Sequence, residues 1–202
     1  WPGLREVCDK YGVLLIADEV QTGFGRTGEI FSVDHWDVQP DIMCFGKALG
    51  GGVVPMSGFF STPKIWEVME PNPFMHTTTT GGNPIACASA LAAITVMHDE
   101  DLPAQAARKG EYVKGRLQEL SERHPGILDK VTGKGLLIGM HFVDDEIGYH
   151  VASGLFARGV ITAGTLTNAR CIRFEPALNI PMELLDEALN KMEDVFKSLP
   201  AS

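Results

Sequence analysis

An α/β layer followed by a smaller α+β unit is the fold class predicted by three features of the sequence. The apolar run Val13 to Ala17 ends in two acids, Asp18 and Glu19; such a run reads as a buried parallel strand whose carboxyl end carries polar function. Residues 1 to about 98 alternate helix, strand, Gly-rich loop, strand, loop and helix, the order of an α/β layer with a parallel or mixed sheet. Beyond Asp101 the rhythm changes to a long amphipathic helix, a strand pair and then further helices and short strands, which is an α+β pattern.

Each element has a local reason. Leu4, Val7, Cys8 and Tyr11 share one helical face, with Gly12 placed as a stop. The Ala-rich stretch Pro84 to Met97 predicts a helix. A second helix runs from Asp101 to about His124, with Leu117 and Leu120 on its apolar side and Pro125-Gly126 ending it. Strands are expected near Ile127–Thr132 and Leu136–Val143, then a helix near Glu146–Arg158 with Asp144 or Asp145 as its cap. Short strands near Val160 and Ile172 and a helix from Met182 to Leu199 complete the chain. The expected domain boundary separates residues 1–98 from 99–202.

Composition narrows the function. At 45% hydrophobic residues over 202 positions there is apolar matter for a sizeable core. A net charge of −9 argues against nucleic acid as a partner, because phosphate backbones require a basic face. The longest apolar stretch, Ile85 to Met97, contains Ser89 and Thr95 and is too short to cross a bilayer. Cys8, Cys44, Cys87 and Cys171 show no paired spacing and sit among apolar neighbours. They read as reduced core thiols of a cytoplasmic protein. The histidines lack metal-ligand spacing, and Val143-Asp144-Asp145-Glu146 reads as a solvated turn, so no metal is expected.

Lys47 stands between the apolar run Ile42 to Phe45 and three glycines, Gly50 to Gly52. A lysine held out of water there is a candidate Schiff-base nucleophile, since desolvation frees the amine to attack a carbonyl. Alone, a lysine beside a Gly-rich turn is ordinarily a solvated surface residue. Asp18, at the end of its strand, calls for a cationic partner. A protonated pyridine nitrogen is one, as where an aspartate keeps pyridoxal phosphate working as an electron sink; a helix cap or an arginine pair would also account for it.

Gly23-Phe24-Gly25-Arg26-Thr27-Gly28 matches the dinucleotide fingerprint after a strand, but no helix opens on its last glycine and no acid-ending strand follows at the required distance. Thr77 to Thr80 with Gly81-Gly82-Asn83-Pro84 places hydroxyls and N–H groups at a helix start, where either phosphate binding or plain capping is served. Arg173, in Cys171-Ile172-Arg173-Phe174-Glu175-Pro176, offers a fork for a substrate carboxylate or a partner for Glu175.

Together the motifs Leu15-Ile16-Ala17-Asp18-Glu19-Val20-Gln21-Thr22-Gly23, Phe45-Gly46-Lys47-Ala48-Leu49-Gly50-Gly51-Gly52 and His76-Thr77-Thr78-Thr79-Thr80-Gly81-Gly82-Asn83-Pro84 resemble those of the class III pyridoxal-phosphate aminotransferases, in the family's order and separations. Within it the likeness is closer to the putrescine aminotransferases, through Asn72-Pro73-Phe74-Met75-His76-Thr77, Asp145-Glu146-Ile147-Gly148-Tyr149 and Ala163-Gly164-Thr165-Leu166-Thr167-Asn168-Ala169-Arg170. The resemblance implies a chain that is the carboxyl-terminal half of an aminotransferase. It comprises the rear of the fold type I cofactor domain, residues 1–98, and the small domain, residues 99–202.

By the same resemblance, pyridoxal 5'-phosphate is the cofactor, carried by Lys47. Asp18 meets its ring nitrogen and Gln21 its phenolic oxygen, while Glu19 holds the loop. Thr79 reaches the cofactor phosphate of a partner in a homodimer, and Arg173 binds the carboxylate of the oxo acid. Thr80 stands where an aromatic is usual, so packing near the phosphate or the substrate entrance is expected to differ. Glu175 replaces a small apolar residue and Ala177 a common proline; an acid there would favour a cationic diamine.

The expected reaction moves the amine of putrescine or a related terminal amine to 2-oxoglutarate or pyruvate. The alternatives are a class III enzyme using ornithine, acetylornithine or 4-aminobutyrate, a decarboxylase or racemase on the same cofactor fold, and a non-catalytic half-chain that needs a partner polypeptide.

Overall fold

The computed structural model of the chain describes residues 1–165 and 167–199. Leu166, part of the Ala163–Arg170 motif, lies outside the described residues, as do Pro200, Ala201 and Ser202. The chain divides into two compact units, one running from Trp1 to Leu102 and the other beginning at Pro103.

In the first unit, α1 (Pro2–Tyr11) starts on Pro2, whose fixed φ suits a helix start, and stops at Gly12, left-handed at φ 63°. Three strands follow: β1 (Ile16–Asp18), β2 (Ile42–Phe45) and β3 (Gly58–Ser61). They form one sheet in the order β1-β2-β3, with β1 parallel to β2 and β3 antiparallel to it. Asp41 ties the start of this sheet together. Its Oδ2 accepts the Leu15 N–H at 2.7 Å and an Arg5 Nη1 hydrogen at 2.8 Å. Those two donors hold the Asp41 carboxyl below the usual carboxylate range, the Leu15 bond contributing most.

A short helix α2 (Pro63–Trp66) and two single 3₁₀ turns lead to α3 (Pro84–Asp99). Asn83 caps α3, its side-chain oxygen accepting the Ala86 N–H at 2.9 Å. The helix lies against the turn after β2, where Ser89 Oγ donates to the Gly50 carbonyl at 2.9 Å.

β1 is shorter and more exposed than its sequence predicts. Only Ile16 to Asp18 are strand, and Val13, Leu14 and Ile16 are exposed although Leu15 and Ala17 are buried. The physical reason is that β1 has a strand neighbour on one side only, so its apolar run is not enclosed.

The second unit is opened by α4 (Leu102–Arg123), which buries Ala106, Gly110, Val113, Leu117 and Leu120 along one stripe. Strands β4 (Leu128–Lys134), β5 (Leu137–Phe142), β6 (Ala163–Gly164) and β7 (Cys171–Phe174) form an antiparallel sheet in the order β4-β5-β7-β6. Helices α5 (Asp145–Ala157) and α6 (Met182–Ser198) complete it. Asp144 caps α5 by accepting the Ile147 N–H at 2.7 Å. One continuous core joins Leu117 and Leu120 of α4, Ile138, Met140 and Phe142 of β5, and Leu185, Leu189 and Met192 of α6.

Gly110 sits mid-helix because a Cβ there would lie 2.0 Å from the Gly135 carbonyl oxygen, at the turn between β4 and β5. The strand expected near Val160 is instead Ala163–Gly164. Gly159, left-handed at φ 78°, ends α5, and the Val160 N–H is taken by the Leu155 carbonyl, so Val160 belongs to the helix stop. All four cysteines are free, and Cys171 alone among them is buried; Cys87 is exposed, against the expectation that all four sit in the core.

Candidate active site

β2 ends at Phe45, and the chain turns sharply through Lys47–Gly50. Lys47 is left-handed at φ 42°. Such backbone is strained for a residue with a Cβ and clusters at functional sites. Phe45 and Leu49 on either side are buried, yet Lys47 is exposed. The expectation that the apolar run shields the amine from water is therefore corrected: with Phe45 and Leu49 turned into the core, the tight turn leaves Lys47 facing out, on the wall of a cleft of about 640 Å³.

The other walls are Gly52 to Ser57 and a segment from the Thr-rich stretch, Thr78, Thr80, Gly81, Gly82 and Asn83. Gly52, at φ 75°, has nothing within 4 Å of a built Cβ, and neither has Gly82, at φ 65°. A flat ligand can therefore lie against bare backbone at either position. The first turn of α3 also reaches this cleft through Ala86, bringing the positive end of a helix to it.

Asp18 is in register with Cys44 on β2, three residues before Lys47. It is exposed at the end of β1, and its Oδ1 accepts the Val20 N–H at 3.1 Å. A backbone turn thus fixes the carboxylate.

Glu19, next along, is only 2% exposed. Its Oε1 accepts the Val33 N–H at 2.9 Å, its Oε2 accepts the Thr22 hydroxyl, and its carbonyl accepts the Gly23 N–H. Glu19 therefore holds the loop that follows β1, as the sequence led us to expect. Gln21 is half-buried in that same loop. The Gly23–Gly28 stretch is a run of turns with Gly25 and Gly28 at positive φ, and no helix opens on it.

The cleft fits a planar aldehyde cofactor bearing a phosphate. An amine stands on its wall, flat glycine backbone lies beside it, and hydroxyls with a helix N-terminus offer donors to an anion. Thr79 is exposed between the two threonines that line the cleft. Thr78 and Asn83, both in the segment that the sequence offers for a phosphate or a helix cap, do line the cleft, whereas Ser57 was passed over and carried no signal.

In the second unit, Arg173 on β7 lies 3.3 Å from Glu175 through Nη1 and Oε1. Both line a cleft of about 300 Å³ with Val160, Ile161, Ile180 and Leu184. The Arg173 Nε is buried with no hydrogen-bond partner among the described residues. Glu175 therefore does not meet the full donor capacity of this guanidinium. Lys109 anchors the turn after Glu175, donating to the Leu178 carbonyl and to Gln105 Oε1, each at 2.9 Å, and burial pushes its amine pKa down.

Comparison with known proteins shows the family. The family model described as aminotransferase class-III matches residues 1–196. The ornithine aminotransferase of Plasmodium yoelii is 35% identical with a TM-score of 0.88, over 97% of this chain and 51% of that one. An acetylornithine aminotransferase from Elizabethkingia anophelis is 37% identical with a TM-score of 0.88, over 96% and 48%. An aminotransferase from Bacillus anthracis is 29% identical with a TM-score of 0.91, over 98% and 48%. The chain thus spans about half the length of these relatives.

Proposed function

The chain belongs to the class III aminotransferases, and we propose that it carries the cofactor lysine and the carboxylate-binding arginine of an enzyme that moves a terminal primary amine onto a 2-oxo acid. The observation that carries this reading is Lys47, in left-handed backbone on a cleft shared with the Thr78–Asn83 segment at the start of α3. Pyridoxal 5'-phosphate, the family's cofactor, supplies the electron sink that lets a bond at the amine-bearing carbon break.

The chain's own residues do the rest. Lys47 Nζ would hold the cofactor and, when released by an incoming amine, would serve as the base that carries a proton. Asp18, fixed by the Val20 N–H, would present its carboxylate to the ring nitrogen. Gln21 would hydrogen-bond the phenolic oxygen. Thr79, exposed, serves the phosphate of a second copy in a homodimer. Arg173, on the wall of its cleft, would receive the oxo-acid carboxylate. Residues 1–98 act as the cofactor domain and 99–202 as the small domain.

For the amine donor the first reading is putrescine. It is supported by the putrescine-aminotransferase motifs and by Glu175, whose carboxylate beside Arg173 suits a donor with a second cationic end. Ornithine or acetylornithine is the second reading, favoured by the similarity to enzymes named for those substrates. Both present a primary amine at the end of a carbon chain.

Borohydride reduction of the protein with pyridoxal 5'-phosphate, followed by peptide mapping, tests the assignment. The cofactor is expected on Lys47, and Lys47→Ala should leave no site in its place. Label spread over the other lysines to the same extent would remove Lys47 from its role. In the complete enzyme, Glu175→Ala should lower kcat/KM for putrescine by about tenfold, the equivalent of roughly 1.4 kcal/mol. Unchanged putrescine turnover with ornithine preferred would move the donor to the second reading.

A further inference from the structure

The walls of the Arg173 cleft are held by unequal means. Arg173 sits on β7, a strand paired on both sides, opposite Gly139 of β5 and Ala163 of β6. Glu175, Pro176 and Ile180, which line the same cleft, belong to the irregular segment that joins β7 to α6. Past the end of a strand no ladder fixes the chain, and its polar backbone groups need other partners. The segment closes one turn by itself, the Ile180 N–H donating to the Ala177 carbonyl at 3.1 Å.

A second tie comes from α4. Lys109 Nζ donates to the carbonyl of Leu178, which is half-buried in that turn, and to Gln105 Oε1, each at 2.9 Å. The lysine stands on a firm base: the next residue, Gly110, is where α4 passes too close to the Gly135 carbonyl for a Cβ, and Ala106 and Val113 are fully buried on the same helix. Lys109 is half-buried and both of these acceptors are neutral. Burial, with a smaller push from Arg108, lowers its amine pKa. A charge drawn partly out of water onto neutral acceptors costs free energy. What the amine holds in return is one backbone oxygen, three residues after Glu175.

We propose that Lys109 is a positioning residue for the carboxylate cleft: by pinning Leu178 it keeps Glu175, Pro176 and Ile180 beside Arg173 in the arrangement that receives the oxo acid. Lys109 does not line the cleft itself, so it acts through the turn and touches neither substrate nor cofactor. Arg173 needs no such help, because its strand is fixed from both sides. The inference rests on the reading of Arg173 as the carboxylate receiver and not on the choice of amine donor.

The test pairs exchange with kinetics. In the 202-residue chain, amide exchange at Ile180 should quicken by about tenfold in Lys109→Met, which keeps the length of lysine and lacks its donors, and return toward the parent rate in Lys109→Arg. In the complete enzyme, Lys109→Met should raise KM for 2-oxoglutarate by about tenfold while kcat at saturation is retained, and Lys109→Arg should restore KM. Gln105→Leu removes one acceptor and leaves the Leu178 bond; it should raise KM by about threefold, and an unchanged KM there decides against the proposal should Lys109→Met fail to fold. Arg173→Gln is measured alongside. A raised KM for Arg173→Gln with none for Lys109→Met would overturn the inference and leave the reading of Arg173 standing, whereas no rise for either would overturn both. A lowered kcat at unchanged KM, or exchange quickened throughout α4 and α6 as much as at Ile180, would make Lys109 a structural residue alone and equally overturn it.

Discussion

From Pro103 onward a single buried cluster runs from Val113 in α4 through Ile138, Met140 and Phe142 to Val195 and Phe196 in α6, and helices α5 and α6 lie on it. Before Leu102, the clustered core is Phe45, Leu49 and Ala90 with Phe24 and Met56 packed around them, while Leu4, Ile16, Ile85 and Leu91 remain exposed. The two units hold similar lengths of chain and use them differently. The second unit builds one large core although Tyr149, Phe156 and Ile161 stay exposed; the first builds a small one and leaves the α1 stripe and much of β1 uncovered. The proposed cofactor residues Lys47 and Asp18 stand in the unit with the smaller core, at strand ends.

The sharpest way to break this contrast is to make the same truncation in both units. Leu117 is fully buried in α4, whereas Leu4 is 56% exposed in α1. Leu117→Ala should destabilise the second unit by about 2–5 kcal/mol, through lost transfer energy and the cavity left behind. Leu4→Ala should stay within about 0.5 kcal/mol. Urea unfolding followed by amide exchange in β4 and β5 for the first variant, and in α1 and β1 for the second, reads both. Equal losses would mean that the α1 stripe is already covered in the isolated chain.

A smaller effect concerns what holds the first unit together in place of a large core. Asp41 Oδ2 accepts both the Leu15 N–H and Arg5, and the first of these does most to keep the carboxyl ionised below its usual range. With the folded pKa below the ordinary value of 3.8, the stabilisation is fully present above that value and is lost as pH falls through the folded one. Acid titration of β1 exchange should therefore steepen below about pH 4 in the parent chain. Asp41→Asn should be less stable at neutral pH and flatter across the same window. A parent profile as flat as the variant's would detach Asp41 from the stability of β1.

Sequence reading recovered the helices well, because capping and periodicity are local. Gly12, Asn83-Pro84, Asp144 and Pro125-Gly126 all sit at or beside helix ends, and Leu117 and Leu120 are fully buried as the pattern predicts. What it missed depends on neighbours far away in sequence, or on a second strand beside β1 that the described residues do not supply. The apolar run Val13 to Ala17 reads as a buried strand, but burial needs a second strand beside β1. The shielding expected for Lys47 failed for a different reason: a positive φ at a non-glycine residue turns the lysine outward, and no composition rule signals it. Ser57 as a wall residue becomes visible only when β2, its turn and the start of α3 are brought to one cleft.

The smallest predicted effect separates fold from chemistry within the first unit. Asn83 caps α3 and lines the cleft that holds Lys47, so one side chain serves both. Asn83→Ala should fray the first turn of α3 at a cost of about 1 kcal/mol. Asn83→Asp should restore stability, because aspartate caps as well as asparagine and its charge favours the positive end of the helix. It also places a negative charge in the wall proposed to receive a phosphate, where like charges repel. Thermal melts should therefore rank the parent chain and the aspartate variant together above the alanine variant. Titration with pyridoxal 5'-phosphate should instead rank the aspartate variant lowest. If affinity simply followed stability across the three proteins, Asn83 would be a cap alone and the phosphate would lie elsewhere on the first unit.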